Sequence, residues 1–150
     1  MKRPKILLLI ITACMAVVMV LNAQNYKAPA IDASGKVTDD RGKYIGMVSM
    51  EGIITDSAGI KIGMIDNEGS LVDTKTGTKM GKSEKNGNFT TSYAKTKDDK
   101  WTISEPMNGN CKVTDRNNKT VVIVHENYKQ YGACVYYCLS IKKMNKGMKM

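Results

Sequence analysis

The chain has 150 residues, with 23 Lys and Arg against 14 Asp and Glu and a formal net charge of +9. It is 42% hydrophobic but only 6% aromatic, with a single Trp and a single Phe. That length suits one domain with a modest core. Its lysines are scattered through turns rather than gathered into a stripe with stacking aromatics, which argues against a nucleic-acid partner.

The first 23 residues, MKRPKILLLIITACMAVVMVLNA, read as an export signal. Lys2, Arg3 and Lys5 form a positive start, residues 6–21 are an unbroken apolar run, and Ala23 offers a small residue for cleavage. The run is shorter than the roughly 20 residues of a stable membrane span. Two alternatives stand beside cleavage. Ile11, Thr12, Ala13 and Cys14 have the form of a lipoprotein signal, and the segment could stay uncleaved as an anchor. The leader holds three basic residues and no acid, so the chain beyond it carries 20 − 14 = +6.

Residues 24–34 form a lead-in, and a repeat follows. From Gly35 the chain reads GKVTDDRGKYIGMVSME, from Gly52 GIITDSAGIKIGMIDNE, and from Gly69 GSLVDTKTGTKMGKSEKN. A fourth unit from Gly87, GNFTTSYAKTKDDKWTIS, keeps only the outline. After an insertion around Glu105, Pro106, Met107, Asn108 and Gly109, KVTDRNNKTVVIV overlies KVTDDRGKYIGMV. Five units of about 17 residues therefore start near positions 35, 52, 69, 87 and 111 and fill residues 35–126.

Each unit has the pattern of a β-hairpin. Short alternating runs flank turns such as Asp39 to Gly42, Asp56 to Gly59 and Asp66 to Gly69. Asp at the first turn position bonds backbone two residues on, and Gly at the fourth accepts the left-handed conformation. The mid-strand glycines Gly46, Gly63 and Gly81 mark bulges or places of close backbone approach. A single hairpin cannot bury its face, so the units must close radially or stack. The expected fold is an all-β repeat domain.

A helix is expected over residues 127–143, its regular turns starting near Lys129, packed over an open end of the β array. Tyr131, Cys134, Cys138 and Ile141 recur at spacings of three and four and share one face. Residues 144–150 form a basic, Met-rich tail.

The repeat GxVxDxxGxxIGxI behind a short export signal, together with VVIVHENYKQYGACVYYCL near the end, resembles the five-fold beta-flower proteins of Bacteroidota. The resemblance spans roughly residues 31–139. It implies a radial β architecture and an exported protein, and it implies no activity.

Three constellations bear on chemistry. Gly77, Lys79, Gly81, Lys82 and Ser83 suggest a phosphate loop, but one residue is missing between the glycines, and the stretch overlies residues 59–63 of the previous unit. The turn aspartates follow no calcium-binding pattern, and turn formation accounts for them. The third is Cys111, Cys134 and Cys138 with His125, the sole histidine. Exported thiols usually pair, so a bridge from Cys111 to one helix cysteine is the leading expectation. Buried free thiols come next. Cys134, Cys138 and His125 around zinc or another soft metal are the weak alternative, and His125 otherwise reads as a packed or capping residue.

No catalytic set emerges, so the expected protein is not an enzyme and needs no cofactor. It is a small exported module with a binding or structural role at an envelope surface or on a protein partner. The alternatives are a thiol- or metal-dependent function and a lipid- or membrane-anchored envelope protein.

Overall fold

The computed structural model describes residues 27–93 and 99–147, apart from the side chains of residues 142, 143 and 145–147. The expected leader with Cys14, and the end of the tail, lie outside the described residues.

Strand β1 (Ala30–Ile31) comes first, followed by the pair β2 (Lys36–Thr38) and β3 (Tyr44–Val48). Next are β4 (Ile53–Asp56) with β5 (Lys61–Ile65), and β6 (Ser70–Asp73) with β7 (Lys79–Ser83). Then come β8 (Phe89–Thr91) with β9 (Lys100–Ile103), and β10 (Asn110–Thr114) with β11 (Thr120–His125). A 3-10 turn (Glu126–Tyr128) leads to helix α1 (Gly132–Gly147). The strands form one closed barrel in which β2 to β11 each pair antiparallel with their sequence neighbours. Closure comes from β1, which pairs parallel to β11 and antiparallel to β2. The expected lead-in is therefore part of the barrel. Its strand escaped notice because it is two residues long, too short for any alternation.

Four of the hairpins share one irregularity. Val37 faces Gly46 but Thr38 faces Tyr44, which leaves Ile45 as an extra residue. The same slip leaves Ile62 extra in β5, Met80 in β7 and Val121 in β11. A bulge of this kind bends the strand and increases its twist, which helps a sheet close. The residue after the bulge points inward, and in the first three cases it is Gly46, Gly63 or Gly81. At the turns, Oδ1 of Asp39, Asp56, Asp66 and Asp115 each accepts two backbone N–H groups of its own turn. Gly42, Gly59 and Gly69 end three of these turns at positive φ.

Helix α1 packs on the β array as expected, but from inside the ring rather than over its end. Ala133, Cys134, Val135 and Cys138 are fully buried and Leu139 nearly so. These positions span more than half of the helix circumference. Leu139 lies against Gly46 of β3, Cys138 against Gly63 of β5, and Tyr137 against Phe89 of β8 and Trp101 of β9. A Cβ at Gly46 would lie 2.4 Å from the Thr55 carbonyl oxygen and 2.6 Å from Leu139. Glycine there makes room for the helix. Eleven strands enclose enough space for one. The expectation of a single buried face failed because residues 133–139 hold no charged side chain, and a helix without a polar face is a buried helix.

The entry to the ring is crossed by the segment before the helix. Tyr128 is buried beside Gly35, the Lys129 carbonyl approaches Gly87, and Ser83 Oγ donates to the Gln130 carbonyl. The insertion after β9 closes over the same mouth, where Glu105 meets Lys129 Nζ at 2.8 Å. The regular helix consequently starts at Gly132, later than expected. Gly132 is required there, since a Cβ would come within 2.4 Å of Val124.

Candidate functional site

The residues singled out from the sequence do not assemble into a chemical centre. Cys111 points inward from β10, with Val124 as its cross-strand neighbour. Cys134 and Cys138 lie one turn apart on α1. All three are buried and none is in a disulfide, which leaves the expected bridge from Cys111 to the helix without support. Burial pushes the Cys134 thiol far above its ordinary range, and the neighbouring Cys138 pushes in the same direction. Burial also raises Cys111. Neutral thiols are poor nucleophiles and poor metal ligands. Cys134 Sγ instead donates to the Tyr131 carbonyl at 3.1 Å.

His125 ends β11 and accepts the Asn127 N–H on Nδ1 at 3.3 Å, capping the 3-10 turn. It is not brought together with Cys134 and Cys138. Among the described residues, no group of three or more His, Cys, Asp or Glu side chains is placed to hold a metal ion. The stretch with phosphate-loop character contains strand β7.

Among the described residues, a concavity lies elsewhere, where the barrel closes. A cavity of about 310 Å³ opens between the β2–β3 turn, the β10–β11 turn and helix α1. Its apolar side is Pro29, Ile45 and Val121, and its floor includes Tyr136 and Ser140 of α1. Asp39, Asp40 and Asp115 set three carboxylates around it against one cation, Lys119. Asp39 is only 5% exposed.

The cavity exists because closure is irregular. Elsewhere, consecutive hairpins pair directly, with Gly46 opposite Asp56, Gly63 opposite Asp73 and Gly81 opposite Thr91. In two of those junctions the residue just past the second strand donates to the bulge carbonyl across the gap. Thr74 N–H reaches the Ile62 carbonyl at 3.3 Å, and Ser92 N–H reaches that of Met80 at 3.0 Å. The corresponding groups between β11 and β2 are the Asp40 N–H and the Val121 carbonyl. Asp40 and Val121 both line the cavity instead, because β1 is wedged between the two strands. Pro29 donates no N–H, so the ladder ends there, after its carbonyl has accepted from Ile123 at 2.8 Å.

Sequence reasoning missed this cavity and its residues Asp40, Lys119, Tyr136 and Ser140. A signal was available. Val122 stands in the fifth unit where Gly46, Gly63 and Gly81 stand in the first three, and Pro29 sits just before a buried Ile31.

No known family's pattern matches the chain, and neither the curated proteins nor the solved structures include a significant likeness to it.

Proposed function

We propose that the protein is a small exported module with a non-catalytic binding or structural role, built from five copies of one hairpin around a common axis, as the resemblance to the five-fold beta-flower proteins implies. The observation that carries the non-catalytic reading is the state of the thiols. Among the described residues, the side chains with the greatest nucleophilic capacity, Cys111, Cys134 and Cys138, are buried in the core behind the closed sheet, and burial raises the thiols of Cys111 and Cys134. The five-hairpin reading draws on the bulge that recurs after Val37, Ile54, Leu71 and Val113. It also draws on the positive φ of Gly35, Gly52, Gly69 and Gly87, which precede successive hairpins.

Binding is favoured over a purely structural role by the cavity at the closure, since its size and mixed lining suit a small ligand. Among the described residues no helix is long and apolar enough to cross a membrane. The strands are two to six residues long, shorter than the roughly 9–11 needed to cross one.

The test is to express the full chain in an exporting host and determine where it resides and how it begins. The reading expects a soluble envelope or secreted form starting at Gln24, with three thiols that react only after unfolding. Cytoplasmic retention would overturn export. A native thiol that reacts rapidly would overturn the non-catalytic reading in favour of thiol chemistry.

A further inference from the structure

We propose that the cavity at the barrel closure binds the amino-terminal end of a short peptide. This rests on the reading of the protein as a binding module and names the ligand class of its site. Two independent features point to it.

The first is the backbone pair. The Asp40 N–H and the Val121 carbonyl correspond by repeat position to groups that bond each other across two other junctions, and here both residues line the cavity. One peptide unit offers both a carbonyl acceptor and an N–H donor, so it complements both walls as an added strand does. The ladder that β1 begins stops at Pro29, and the cavity lies where its next residues would continue.

The second is charge. In a chain of net charge +9, this lining carries three carboxylates and one lysine. A free amino end is a compact cation with three donors, and its first residues leave apolar surface for Pro29, Ile45 and the Tyr136 ring. The volume of about 310 Å³ accommodates a di- or tripeptide and not a folded partner. Two acids, Asp39 and Asp115, commit Oδ1 to their own turns, which fixes each carboxylate in place. Rigid acceptors of this kind lose little freedom when a ligand arrives.

The experiment is a titration of the full exported chain with trialanine, followed by backbone amide NMR, with N-acetyl-trialanine as the control. Saturable shifts are expected at Asp40, Thr120, Val121 and Tyr136, with acetylation weakening binding at least about tenfold, the scale of one charge-assisted hydrogen bond. Asp115→Asn should weaken trialanine by a similar factor. The amide oxygen can still accept from Asn117 and Lys119, so the turn is kept. Asp40→Asn, at an exposed position outside that turn, provides a second charge removal whose urea midpoint should match the parent. Absence of shifts at these residues up to 10 mM peptide, roughly the weak limit for such ligands, would overturn the proposal. So would equal binding of the acetylated peptide, or unchanged affinity in both folded variants. None of those results touches the burial of the thiols, so the non-catalytic reading fails separately, only if the native thiols react.

Discussion

The junction between β11 and β2 and the junctions between β3 and β4, β5 and β6, and β7 and β8 perform the same task with different means. The regular junctions bring two strands into direct register and place an inward glycine opposite a turn residue. The closing junction inserts β1, two residues long, and Val122 takes the glycine's place in β11. At Gly46 and Gly63 the helix presses on the regular junctions from inside, and at Gly81 the Phe89 ring does so. The closing junction leaves an acidic cavity whose floor is the helix itself. Regular closure gives stability, and the defect provides a surface with unusual chemistry.

The largest expected difference between the two regions is in packing. Leu139 fills the space behind Gly46, so Leu139→Ala should lower stability by about 2–5 kcal/mol in urea unfolding. Ser140, its neighbour at the cavity, should tolerate alanine within about 0.5 kcal/mol. An equal loss at both positions would mean that the helix is not held differently by the two regions. Gly46→Ala comes next. Its Cβ meets the Thr55 carbonyl and Leu139, and overpacking of this kind costs about 1–3 kcal/mol.

The pH dependence sharpens the picture of the interior. A thiol raised by burial stays protonated in the folded chain after the unfolded chain's thiol has ionised. The Cys134 contribution is therefore complete below the unfolded value near 8.5 and falls as pH rises above it, by about 1.4 kcal/mol per unit. Stability measured at pH 8 and pH 10 should differ in that direction, and Cys134→Ala should flatten the difference. At the acidic end, the Ser70 N–H holds the half-buried Asp66 carboxyl below its usual range. Its contribution is present above that range and lost as pH falls through the lowered value.

Smaller effects belong to the rim. Gly59 has φ +80° and nothing within 4 Å of an added Cβ, so Gly59→Ala should cost only the backbone term, about 1 kcal/mol. Lys79 lies 3.8 Å from half-buried Asp66 and from exposed Glu68, and Lys79→Ala should shift the urea midpoint too little to measure.

The hairpins were legible in the sequence because their period is written twice, once in alternating burial and once in Asp and Gly at the turns. Val37, Val48, Ile54 and Ile65 fall inward as that alternation requires. The helix was legible as a helix, but its place was not. Spacings of three and four select a face only when another face is polar, and Val135 and Leu139 are as buried as Cys134 and Cys138. The cavity was least legible, since it depends on the first and last strands meeting. Ile31 and Val124 are far apart in the chain, and their pairing leaves no local pattern.

The account turns on the helix lying within a closed ring, and native thiol reactivity tests that most directly. An aromatic disulfide reagent added to the folded, exported chain should modify none of Cys111, Cys134 and Cys138 until urea unfolds it, after which all three should react. Rapid modification of Cys134 or Cys138 at native stability, or an intact mass short by two hydrogens, would contradict it.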